Sequence, residues 1–415
     1  MSLKLMATAS AMIMAACGTN SYAQDQAAKE APKQPWGGPV EFAEGVTFDP
    51  IIDARIRLET SEQANAAGDA TAVTARLRFG GEVKTNGFSF LAEAEGSLAI
   101  VDDFNDTLPG NGIEPFSVVP DPETVELNRL QIAYKGDGYG VTVGRQRIIL
   151  GNSRFVGNVG WRQNEQTFDA IRGTAKIGPV SVDATYSNSQ RTIFGSESPN
   201  EFLDGDLVLL NAGVKAGPID VTGFAYLIDY DTRLAFSSQT YGLIAKATIP
   251  AGGLKINAMG SYARQSDYGN NPTRYDADYL HGELGMDISG FSLKAGYEQL
   301  GSDGGTSAFQ TPLATLHKFN GWADLFLTTP ANGLQDVYAG GGYTFKIGGL
   351  PAFKTAVVYH DFSSDTGSFD YGSEWDASVG FKLGKVGLLV KYANYQADTF
   401  GVDTEKLWVQ AGISF

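Results

Sequence analysis

From about residue 48 onward the chain repeats one pattern: short runs in which apolar side chains take every second position and small or polar ones fill the gaps. The last run, "EKLWVQAGISF", shows it plainly. Leu407, Val409, Ala411, Ile413 and Phe415 share one face, while Lys406, Gln410, Gly412 and Ser414 share the other, with Trp408 as the exception. Strand side chains alternate with a period of two, so each run predicts a β-strand with one apolar and one polar face. Ile52, Ala54, Ile56 and Leu58 form another such phase, as do Ala75, Leu77, Phe79, Gly81 and Val83. The phase returns in Phe88, Phe90, Ala92 and Ala94, in Val180, Val182, Ala184 and Tyr186, and in Trp375, Ala377, Val379, Phe381 and Leu383. The 3.6-residue period of an amphipathic helix is missing from these runs.

The connections come in two kinds that take turns along the chain. Eight are tight, among them "KTNGF" at Lys84, "KGDGYG" at Lys135, "DISGF" at Asp287 and "KLGKVG" at Lys382, and they carry the Gly, Asn or Pro that hairpin turns require. Nine are long and polar, near residues 60–71, 102–123, 151–165, 190–206, 229–238, 265–275, 301–334, 363–373 and 397–403. Together they connect about 18 strands. Short turns alternating with long loops, and an even strand count, predict an all-β transmembrane antiparallel barrel with periplasmic turns and extracellular loops. In such a barrel the last strand closes against the first, because hydrocarbon cannot hydrogen-bond an open edge. Tyr134, Tyr186, Tyr262, Tyr297, Tyr343 and Tyr392 fall at heights expected of interfacial aromatic girdles. A secreted sandwich of this length would normally split into linked domains, and no linker is visible between Phe48 and Phe415.

Composition adds three points. Apolar residues from Leu5 to Cys17, then Ser21-Tyr22-Ala23, read as an export signal over residues 1–23; a second reading takes Met14-Ala15-Ala16-Cys17 as an imperfect lipoprotein box. Residues 24–47 read as a polar periplasmic lead, with the barrel spanning 48–415. The only cysteine falls in the signal, which leaves no disulfide, and the formal net charge of −16 argues against a nucleic-acid partner.

Two stretches resemble a known family. "VGRQRIILGNSRFVGNVGWRQNEQTFDAIR", Val143 to Arg172, and "FQTPLATLHKFNGWADLFLTTPANGLQDVYAGGGYTF", Phe309 to Phe345, are similar to the alginate export family of bacterial outer-membrane proteins. That resemblance implies an 18-stranded barrel in the outer membrane, in contact with lipid and lipopolysaccharide, whose terminal Phe is read by the barrel-assembly machinery. Family members range from exporters of a polyanionic polysaccharide to porin-like channels.

If the apolar phase faces lipid, the alternate phase faces a water-filled interior. This places Arg55, Arg57, Arg76, Arg78 and Arg129 in the lumen, with Glu82, Glu93 and Glu95 beside them. Arg145 and Arg147 share phase with Val141 and Val143, so they reach the lumen only if the strand bulges. An Arg facing lipid at midplane would cost about 2–4 kcal/mol, which favours the lumen. Two readings of these rows stay open: a basic wall that attracts anionic solutes, or internal pairing with the carboxylates. A dedicated polyuronate exporter would be expected to have a lumen dominated by basic residues, and the carboxylates here depart from that.

The longest loop, 301–334, contains Leu313, Leu316, Phe319, Trp322 and Phe326 at helix-like spacing, which needs an apolar surface to pack on. It either folds inward to narrow the channel or caps the rim. His317, Lys318, Trp322 and Asp324 are its candidate constriction residues. The acidic "DDFND" at Asp102 could hold a calcium ion in an outer loop, but it lacks the glycine and closing glutamate of an EF-hand, which favours a solvated loop. Catalysis and cofactors find no support: His281, His317 and His360 show no metal-ligand spacing, and "GDGYG" at Gly136 sits in a hairpin turn. The expectation is an outer-membrane channel for passive diffusion of small hydrophilic, anionic or sugar-like solutes. Export of an acidic polysaccharide such as alginate and a plugged structural or adhesive barrel are the alternatives. Oligomeric state is not legible.

Overall fold

The computed structural model describes residues 38–415; the export signal, the alternative anchor at Cys17 and most of the expected lead lie outside them. Eighteen strands, β2 (Val46–Gln63) through β19 (Thr404–Ser414), run antiparallel with each paired to its sequence neighbour. The sheet closes where β19 meets β2, from Thr404 opposite Gln63 to Ser414 opposite Asp53. Phe415 completes the seam: its N–H donates to the Ile52 carbonyl and its carbonyl accepts from the Ile52 N–H, both at 2.9 Å. Closure leaves no edge within the barrel for lipid to desolvate.

All eight tight turns and nine long loops fall between strands as the sequence pattern places them. At the turn between β3 (Ala70–Thr85) and β4 (Phe88–Asp103), Asn86 and Gly87 both adopt positive φ, 47° and 83°, the two successive left-handed residues that such a hairpin needs. The lead differs from expectation at its end. Residues Val40–Ala43 form a short strand, β1, on the free edge of β2 just below the seam, pairing Val40 with Phe48 and Ala43 with Val46.

The outer face is apolar and exposed: Ile56, Leu77, Phe79, Phe90, Ile132, Val143, Leu284 and Val390 all point away from the interior. An aqueous protein would not leave so continuous an apolar surface uncovered. Tyrosines bound it at both ends. Near the turns, Tyr134 packs on Phe88 and Tyr343 on Phe291, with ring centroids 4.7 Å and 4.2 Å apart. Near the long loops, Tyr186 donates its hydroxyl to Asp206 at 2.6 Å and Tyr262 to Asp278 at 2.8 Å. A ring on the apolar band and a hydroxyl turned to polar groups suit a membrane interface.

The interior has two zones. Toward the long-loop end it is filled by segments 147–166 and 301–333, which pack Ile148, Phe155, Val156, Trp161, Phe309, Leu313 and Phe326 against inward-facing Leu207, Phe224, Tyr279, Phe362 and Trp408. Toward the turns the wall carries half-buried polar pairs instead: Arg172 with Asp183 at 2.6 Å, and Asn257 with Asp287 at 3.0 Å. Trp408 broke the alternation of the last strand because it faces this filled interior, where it is fully buried.

Candidate functional site

The inward phase of β2 and β3 brings four arginines together. Register sets Arg55 directly opposite Arg76, with Arg57 opposite Thr74 and Arg78 opposite Asp53. Each is at most 5% exposed because the 147–166 loop lies on them. Arg55 spends its donors on that loop: Nε to Gln163 Oε1 at 2.9 Å, Nη1 to the Gly160 carbonyl at 3.3 Å, and Nη2 to the Arg162 carbonyl. Arg57 donates to the Trp161 carbonyl at 2.6 Å and to Gln410 at 2.7 Å, and its guanidinium lies 4.0 Å over the Trp161 ring. Arg78 pairs with Glu95 and stands 3.6 Å from Glu165.

Arg76 differs. It pairs with Asp53 through one terminal nitrogen, while its Nε and Nη1 have no hydrogen-bond partner among the described residues.

The acidic partners complete a belt. Arg129 holds Glu93 through two bonds of 2.8 and 2.7 Å. Glu165, in the loop, accepts from Arg147 at 2.7 and 2.5 Å and from Asn128 and Asn158. Burial alone would raise the Glu165 carboxyl, but Arg147 and Arg78 hold it well below the usual carboxylate range. Glu82 sits apart near the turn end, 2.9 Å from Lys84.

Arg145 corrects the expectation. Register puts it opposite Leu130, which is exposed, and beside Asp169, which it grips through two bonds of 2.8 Å. The strand does not bulge before it, so its phase stays outward; Asp169 and the Leu127 carbonyl, 3.2 Å away, supply the polar partners that an Arg there requires.

The 301–333 loop enters the barrel. Trp322 and Ala323 donate their backbone N–H groups to Glu374 of β17 (Asp370–Leu383) at 2.5 and 2.7 Å. His317 is buried between four groups: Nδ1 is 2.8 Å from Asp324, Nε2 is 2.5 Å from the ammonium of Lys391 on β18 (Val386–Ala397), and the ring stacks on Trp161 at 4.4 Å with Trp408 edge-on. Burial pushes the His317 imidazole well below its ordinary value. Asp324 is also held by Arg162 at 2.9 Å, which reaches Glu59 at 3.1 Å. Lys318 donates to the Asn152 carbonyl at 2.6 Å. Arg154 joins both loops to the wall through Glu298 at 2.6 Å, Asn320 at 2.9 Å and Thr311 at 3.1 Å.

The helix-like spacing of this loop does not produce a helix; a single 3-10 turn, Leu316–Lys318, is all that forms. Asn320, Gly321 and Asp324 adopt positive φ of 56°, 84° and 65°, and the freed N–H groups go to Glu374. Its apolar residues were spaced for separate pockets, Leu313 in the central cluster and Phe326 against Phe362 and Phe400. Sequence reasoning missed Arg154, Arg162, Glu165, Glu374, Lys391 and Trp408 as members of the site. Strand alternation alone would have marked Glu374, Lys391 and Trp408 as inward; the loop residues gave no comparable signal. "DDFND" leads into an ordinary loop in which Asp106 accepts from the Leu108 N–H and from Asn111, both at 2.9 Å.

A family model described as alginate export matches residues 49–280, more than half of the chain. The chain belongs to the alginate export family. Comparison with curated proteins finds no match. Solved structures share its fold at low identity. Acinetobacter baumannii OccAB3 superposes with a TM-score of 0.68 at 13% identity, covering 89% of this chain and 99% of that one. The Pseudomonas aeruginosa outer-membrane protein opdK gives 0.69 at 12%, covering 88% and 98%. Pseudomonas aeruginosa OccK2 (OpdF), solved in complex with glucuronate, gives 0.64 at 14%, covering 88% and 98%. Family and closed 18-stranded barrel together place the protein in a bacterial outer membrane.

Proposed function

We propose that this protein is an outer-membrane channel through which small hydrophilic solutes diffuse passively. The observation that carries the reading is the inversion of polarity across the wall at β2 and β3: apolar side chains outside, and charged or polar ones on the inward phase. The two inward loops narrow the passage and leave a polar, half-exposed vestibule on the turn side. A neighbour of the same fold was solved with glucuronate, which makes small carboxylates of the uronate type the first solutes to test. In this reading lipid and lipopolysaccharide contact the apolar belt.

Export of an acidic polysaccharide is the second reading, favoured by family membership. Against it stand the inward carboxylates Glu59, Glu93, Glu95 and Glu165, which would repel a polyanion. A third, a plugged structural barrel, draws on the depth at which the loops bury the arginines. Planar-bilayer recording separates them: stepwise conductance reduced by added glucuronate supports the small-solute channel, block by alginate oligomers alone supports export, and silence supports the plugged barrel.

A further inference from the structure

We infer that neutral His317 latches the 301–333 loop to the barrel wall, and that acid releases this loop. The contacts specify the neutral ring: Nδ1 donates to Asp324 at 2.8 Å, which leaves the Nε2 lone pair to accept from Lys391 at 2.5 Å. A second proton on Nε2 would set an N–H against the Lys391 ammonium at that distance, and the two must part. Trp322, Trp161 and Trp408 ring the ammonium at 3.7, 4.3 and 5.5 Å, so parting from the imidazole disturbs the packing of both loops on the wall.

Every element around the imidazole contributes charge. Its own loop supplies Asp324, which favours the added proton; β18 supplies Lys391 and the 147–166 loop supplies Arg162, which oppose it. Lys406 of β19 acts on Asp324, Glu59 of β2 engages Arg162, and Arg57 of β2 with Glu374 and Asp376 of β17 act on Lys391. Asp324 is also shared with Arg162, which takes its other oxygen and weakens its hold on a new charge.

The sign follows from linkage. The docked ring holds a proton less readily than a free histidine, so acid favours the released loop. Below about pH 6.5, each further unit weakens docking by up to tenfold, until the docked ring itself protonates.

The test uses the full chain refolded in detergent micelles and followed by tryptophan emission from about pH 8 to about pH 4. Three of the five tryptophans surround Lys391, so release of the loop is read directly and does not depend on whether the barrel conducts. The expected result is a reversible red shift with increased iodide quenching in acid, absent in His317→Gln, whose side chain takes up no proton. Lys391→Met keeps the volume and removes the expelling charge; its acid response should shrink. A flat wild-type titration overturns the inference, as does a His317→Gln protein, heat-modifiable and therefore folded, that responds like wild type.

Discussion

Replacing Arg55 with Ala tests whether the buried arginines hold a loop or choose ions. The side chain satisfies three acceptors of the 147–166 loop, the Gly160 and Arg162 carbonyls and Gln163 Oε1, in a place that is 4% exposed. Leaving such groups without a donor costs roughly 1–3 kcal/mol each, and relief of the repulsion from Arg76, which register sets directly opposite, offsets part of the sum. At about 1.4 kcal/mol per tenfold, the docked state of the 158–165 segment should weaken by a factor on the order of a hundred or more. The barrel should not follow, because β2 keeps its backbone ladders to β3 and β19. In planar bilayers the variant should therefore show larger and noisier conductance steps, while its heat-modifiable band on a gel persists. Arg55→Lys, whose single ammonium cannot replace a forked set of donors, should fall between the two. Quiet steps of wild-type size with an altered reversal potential would refute the argument and make Arg55 a selectivity residue.

Arg76→Gln removes the guanidinium whose Nε and Nη1 are uncommitted, so reversal potentials under a salt gradient should move toward cation preference with little change in step noise. Leu77→Arg, one residue away on the exposed outer face, should lower refolding stability in lipid vesicles by about 2–4 kcal/mol if that face meets the bilayer midplane, and urea titration reads it. An equal loss for Leu77→Gln would point to packing in place of charge burial.

Much of this was legible in the chain because strand geometry converts sequence parity directly into a side of the wall. Arg55, Arg57, Arg76 and Arg78 could be placed inside from the apolar phase of Ile56, Leu77 and Phe79 alone. Arg145 marks the limit of the rule, since parity without a known bulge left its side undecided until register set it opposite Leu130. The loops had no period to read. Leu313, Leu316, Phe319, Trp322 and Phe326 imitate a helix because each meets a different pocket, and backbone angles at Asn320 and Asp324 that no spacing reveals turn the chain between them.

The sequence by itself determined the barrel: alternation fixes which face is apolar, turn residues fix the hairpins, and the count of connections fixes closure. These are local properties, carried by neighbours two to six residues apart. Only the tertiary structure decided what the interior arginines do. Their partners, Trp161, Gln163 and Glu165, lie from 87 to 108 residues away in sequence, so which of them a guanidinium meets depends on two loops folding through the middle of the closed wall.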